Sequence, residues 1–234
     1  MSKSKASVYR IDSFLKLHDI IAQYRKHKFW IFRGQADEQW PLLPKIGREP
    51  YSGVHEKQVF EAWKRRAVEY ATLRVESDWD WLAIAQHHGL ATRLLDWTIN
   101  PLNAAFFAVR EHRKGNAIVY AVSFKKTKMA QDTHPLDIDG IGVFWPRGVV
   151  PRITRQGGLF TIHGRPFSPM AQDAEELYDF HQIVIAEAYR KELLSELSFY
   201  GINAATLFPD LDGLSSFINW TIENREYWTY SAHK

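Results

Sequence analysis

"FWIFRGQADEQWPLLPKIGR", residues 29–48, begins as a strand and ends as a loop. Trp30, Ile31 and Phe32 form a β-branched and aromatic run, which predicts a strand from about Phe29 to Arg33. That strand finishes on a charge, and the next residue, Gly34, has no side chain. One reading makes Arg33 a surface residue at a strand end, with Gly34 starting a turn. The other projects Arg33 into a cleft, with Gly34 letting backbone or ligand approach closely. A guanidinium suits that place, because its fork of donors matches phosphate or ribose oxygens. Three prolines and a glycine in residues 40–50 make the rest of the stretch an ordered loop.

Working outward, Ile11, Phe14, Leu15, His18 and Ile21 recur at helical spacing and predict a helix over about 11–26, behind a flexible end at 1–10. Further helices are expected over 54–76 and 79–88, the second closed by Gly89. Asn100 and Pro101 are the natural cap and first position of another. Residues 116–124, 157–164 and 181–188 read as strands, with a short apolar run at 141–145 in an otherwise irregular stretch from 127 to 158. A helix at 188–200, a strand at 203–210 and a last helix capped by Asp212 follow, before a flexible end at 227–234. Helices and strands mix without a βαβ rhythm, so the expected fold is a single α+β domain with a mixed or antiparallel sheet. Neither G-x-G-x-x-G after a strand nor G-x-x-x-x-G-K occurs.

The 234 residues carry a net charge of +3 and no cysteine. Disulfides, thiolate nucleophiles and cysteine zinc sites are thereby excluded. The polar N-terminus resembles no signal peptide, and no apolar run reaches the ~18 residues of a membrane span, so a cytoplasmic protein without membrane partners is expected. The basic balance mildly favours polyanionic partners, although Lys and Arg are spread as on any solvated surface.

The second informative stretch is "AQHHGLATRLLDWTINPLNAAFFAV", residues 85–109. Gln86, His87, His88, Thr92, Arg93, Asp96, Trp97 and Thr98 crowd a segment expected to join two helices, anchored by Leu94 and Leu95. Buried loops need internal polar partners, so Arg93 and Asp96 are read either as a local ion pair or as site residues. The Trp97 ring and Thr98 hydroxyl suit a ligand surface. Adjacent histidines point apart, and no third ligand has suitable spacing, so no metal is expected.

Phe32-Arg33-Gly34 and the Q-H-x-G-x-x-T-R-L-L-D-W-T pattern beginning at Gln86 resemble the FRG domain family. The likeness continues through "RITRQGGLFTIHG" and "GINAATLFPDLDGL", covering roughly 28–218. The order of parts is more remotely similar to ADP-ribosyltransferases of the arginine–serine–glutamate class. They too have a strand-borne Arg, a hydroxyl-rich turn before an Ala- and Phe-containing helix, and a late acid. The diagnostic E-x-E and S-T-S are missing. The resemblance implies a split sheet with flanking helices and NAD as substrate. Arg33 and Gly34 would anchor it, with Gln86, His87, Thr92, Trp97, Thr98 and His163 around it and Asp210 as the catalytic acid. Asp212, Glu187 and Glu176 are rivals for that acid. The family's bacterial and phage setting further implies a toxin or anti-phage effector, a nucleic-acid or protein acceptor, and an antitoxin or immunity partner. A non-catalytic nucleotide- or partner-binding module is the alternative. A metal-dependent nuclease built on His87, His88, Asp96 and Asp210 ranks third.

Overall fold

The structure, a computed structural model, describes residues 7–26, 28–71, 75–126, 133–147, 154–171 and 177–224. Among the described residues seven strands are β1 (Ser7–Ile11), β2 (Ile31–Gln35), β3 (Leu94–Thr98), β4 (Ala117–Phe124), β5 (Ile141–Phe144), β6 (Gly158–His163) and β7 (Tyr178–Ile185). They form one sheet in the order β1-β7-β4-β2-β3-β6-β5. β1 runs parallel to β7; the other neighbours are antiparallel. The helices are α1 (Phe14–Ala22), α2 (Glu56–Ala67), α3 (Asp78–His87), α4 (Pro101–Val109), α5 (Arg190–Phe199), α6 (Ala204–Leu207) and α7 (Leu211–Asn224). The α+β class and mostly antiparallel sheet agree with the sequence reading.

β4 lies between β2 and β7 and is apolar on both faces. Ala117, Val119 and Ala121 pack with α1, α4 and α5 residues on one side, while Ile118, Tyr120 and Val122 join Ile31, Trp97 and Phe180 on the other. A strand buried on both faces reads as a continuous apolar run rather than an alternating one. α2 and α3 cover the far end of the sheet, where Phe60, Trp79 and Leu82 meet Leu94, Phe144 and Ile162.

The sheet is continuous rather than split, but its join between β2 and β3 is narrow. The register there consists of one pair, Phe32 opposite Thr98, whereas β2 and β4 pair along all of Ile31–Gln35. Beyond Phe32 the two strands part, and the Arg33 side chain bridges them by donating from Nη1 to the Asp96 carbonyl at 2.8 Å.

Several local expectations change. Residues 7–11 form edge strand β1 rather than a loose end, since pairing to β7 supplies their backbone partners. Residues 94–98 are a strand, not a loop. Residues 203–210 contain helix α6 instead of a strand: Asn203 and Thr206 form a reciprocal capping box, and that local chemistry outweighs the apolar run. Asp210, not Asp212, caps α7, its Oδ1 accepting the Gly213 N–H at 2.7 Å. The Asn100 cap and Pro101 at the start of α4 are as expected.

Candidate functional site

Gly34 lines the same cleft as Arg33, but the space its missing side chain leaves is taken by α4. A Cβ on it would sit 1.9 Å from the Ala104 carbonyl oxygen and 2.6 Å from the Ala108 nitrogen. The missing side chain lets α4 lie directly on β2, which sets the wall of a cleft at the place where β2 and β3 diverge. That cleft has a volume of about 410 Å³. Arg33, Gln86, His87, Asp96 and Thr98 line it together with Arg48, Arg110, Glu111 and Gln156.

The Arg33 side chain is 16% exposed, against 58% for Asp96. Its Nη1 lies 3.5 Å from Asp96 Oδ2, a long ion pair, and its buried Nε has no hydrogen-bond partner. Gln35, on the same strand, presents a buried unpartnered Oε1 beside the cleft. Buried polar atoms without partners carry a desolvation cost, which a bound ligand can relieve. Asp96 is held from behind. Gln86 Nε2 donates to its Oδ2 at 3.0 Å, the Thr92 hydroxyl donates to Gln86 Oε1 at 2.6 Å, and the Leu94 N–H donates to Thr92 Oγ1 at 3.1 Å. Thr92 therefore acts through Gln86 and is itself buried.

Arg48 comes from the proline-rich loop. Its Nε and Nη2 both donate to the Leu43 carbonyl, at 2.9 and 2.6 Å, fixing the guanidinium at the cleft. Burial and then the nearby Arg33 charge lower its pKa, while Asp96 opposes them. Two guanidiniums that feel each other across a cleft leave unbalanced positive potential, a setting for an anion.

Other expected residues lie elsewhere or are already engaged. Trp97 touches the cleft but is buried, and its Nε1 donates to Thr161 Oγ1 at 2.8 Å, so the indole N–H is already engaged. Thr98 Oγ1 donates to the Gln156 carbonyl at 2.7 Å and accepts the Asn100 N–H. His163 is buried behind the sheet, its Nε2 2.9 Å from Thr161 Oγ1. Burial, then the Arg33 charge, lowers its pKa to about 4, so the ring is neutral near pH 7. Arg93 does not pair with Asp96; it donates to Glu56 Oε2 from Nε and Nη2, at 2.9 and 2.7 Å.

Among the acids, Asp210 and Asp212 line a neighbouring cavity, not this one. Glu187 is exposed beyond β7, and Glu176 lies outside the described residues. The carboxylates that line the cleft are Asp96 and Glu111. The nuclease set is not gathered, because Asp210 belongs to the other cavity. Glu61, Asp78 and His134 do approach one another, but Lys64 donates to Glu61 at 2.9 Å and to Asp78 at 2.7 Å and already occupies that cluster.

Residues 28–117, from the approach to β2 to the first residue of β4, match the family model described as the FRG domain. The chain carries an FRG domain. The match contains Arg33, Arg48, Asp96, Arg110 and Glu111, the charged side chains that line the cleft among the described residues. No curated protein and no solved structure matches the chain. Two site residues of this FRG domain escape a motif reading. Arg48 sits in an irregular loop with no period to mark it, and Glu111 follows α4 among other charges.

No helix among the described residues is long and apolar enough to cross a membrane.

Proposed function

We propose that the cleft binds NAD and that the protein is an ADP-ribosyltransferase-like enzyme that cleaves the nicotinamide–ribose bond. The carrying observation is the convergence of Arg33, Arg48 and an oriented Asp96 on one cavity of about 410 Å³, within the usual size of ligand sites. The narrow β2–β3 join supports likening this sheet to the divided sheet of those enzymes. In this reading Arg33 and Arg48 hold the diphosphate through charge-assisted hydrogen bonds. Bond cleavage gives an oxocarbenium-like ribose, as in glycoside hydrolysis. A carboxylate fixed beforehand near that centre stabilises it without reorganising. Asp96, tied to Gln86, takes this role in place of Asp210, which faces a different cavity. The ADP-ribosyl group then passes to water or to a macromolecular acceptor in the cytoplasm; a toxin or effector held by a cognate inhibitor is the setting we propose.

The test is nicotinamide release from labelled NAD by the purified protein. Arg33→Ala should stay folded by circular dichroism and lose activity about a hundredfold, the usual cost of removing a key transition-state or positioning contact. Equal turnover in the folded variant would remove the assignment. Tight NAD binding without release would favour the binding-module reading, which the same guanidiniums would serve.

A further inference from the structure

A second cavity of about 340 Å³ abuts the first, and the two share Phe208, Arg110 and Glu111 as a common wall. Its outer side is built from α5, α6 and α7. The Phe217 and Trp220 rings on α7 are stacked, 6.4 Å between centroids and 17° between planes, and both line the space. Asp210 and Asp212 at the start of α7 join Glu111 at the rim. Arg110, the one guanidinium on the walls among the described residues, is already committed to an aromatic face, 4.9 Å above the Phe208 ring. The walls therefore offer aromatic surface and three carboxylates, of which Asp210 already accepts the Gly213 N–H through one oxygen, against one cation stacked on a ring. Aromatic faces and carboxylates together recognise organic cations.

We propose that this cavity is a subsite for a cationic side chain, a guanidinium or alkylammonium group of a protein or peptide. The three carboxylates disfavour a phosphodiester backbone at the same place. As a binding site it stands on its own walls; as an acceptor site it rests on the NAD reading of the adjoining cleft. In that role a nitrogen of the side chain forms a bond to ribose C1′ while the C1′–nicotinamide nitrogen bond breaks. Nicotinamide leaves with the bonding pair, and the attacking nitrogen gives up one proton, which the exposed Glu111 is placed to accept.

The experiment is calorimetric titration of the full chain with an acetylated, amidated Arg-Arg-Arg tripeptide, without NAD. The wild-type protein should bind it. Trp220→Ala and the surface change Asp212→Asn should each weaken binding by roughly fivefold or more, the scale of one lost cation–π or carboxylate contact. Arg33→Ala should leave it unchanged. No binding by the wild type, or equal binding by both cavity variants, would overturn the proposal. So would a decaadenylate that binds in the peptide's place and is lost in those variants. Peptide binding with no nicotinamide release under any condition would keep the cation site and remove its acceptor role.

Discussion

Two cavities share a wall in this molecule, yet they are made in opposite ways. The first opens where β2 and β3 part, and its polar groups, from strands, a loop and α3, are bonded from behind: Arg48 to Leu43, Asp96 to Gln86, Gln86 to Thr92. The second lies among helix ends, and its acids, Asp210 and Asp212, are exposed at the start of α7. Strand backbones fix side-chain direction, so the first cavity can hold charges at set positions in a half-buried space. α7 offers the rings of Phe217 and Trp220 beside exposed carboxylates, suited to a cationic ligand. The contrast separates orientation from capture, and each half can be disturbed alone.

The strongest disturbance is expected from Gly34→Ala. Its Cβ would meet the α4 backbone at 1.9 Å, so α4 must lift from the central sheet. We expect a loss above about 4 kcal/mol, the range of severe packing faults, and an unfolded or molten product by near-UV circular dichroism. Gly213→Ala tests the other cavity in the same way. There the new Cβ would lie 2.1 Å from the Phe208 carbonyl oxygen, between α6 and α7 rather than in the sheet. Its thermal unfolding should keep the cooperative transition at a lower midpoint while tripeptide binding falls.

Next is a pH effect confined to the strand-built half. His163 has its pKa lowered to about 4 in the folded chain, against an unfolded value near 6.5. Between these values the unfolded chain binds a proton that the folded chain refuses. Stability is therefore fully present above about pH 6.5 and falls as pH drops toward 4, by up to about 3 kcal/mol. Urea unfolding at pH 7 and pH 4.5 checks this, and in His163→Gln the difference between the two should shrink. An unchanged slope would place the acid sensitivity elsewhere.

A pair of reciprocal variants comes third. Arg33→Ala should reduce NAD turnover and spare tripeptide binding, while Asp212→Asn should do the reverse. If both variants lose both properties, the cavities act as one site and the contrast fails. The smallest effect belongs to Thr92→Val, which keeps the shape but removes the hydroxyl that bonds Gln86. A loss of about 1 kcal/mol in stability, with a severalfold rise in NAD KM, would show that the hydrogen-bond chain positions Asp96.

The sequence made the strand-built half far more legible than the helix-built one. Arg33 at the end of an apolar run, and the polar cluster before Asn100 and Pro101, point to residues that do share a cleft. What the pattern could not convey was which polar groups are spent on each other. Trp97 and Thr98 look available in one dimension, but register with β6 hands them to Thr161 and Gln156. Gly34 looked like space for a ligand, and only the crossing of α4 reveals what fills it. The late acid failed for a related reason. Once residues 204–207 coil into a helix instead of extending, Asp210 becomes the cap of α7 and faces the neighbouring hollow.

One buried side chain bears on how this domain can be cut. Arg190, at the start of α5, donates from Nη1 to the carbonyls of Ala36 and Gly115 at 2.9 Å each, and from Nη2 to Glu111 at 3.0 Å and Ala108 at 3.4 Å. All four acceptors lie within residues 28–117, the stretch that the FRG model matches, while the donor lies far downstream. An excised fragment ending at residue 117 would lose this clamp and most of β4, the strand on which β2 is laid. In this chain the matched stretch is therefore tied to its surroundings through Arg190 and through β4, and a cut at residue 117 severs both.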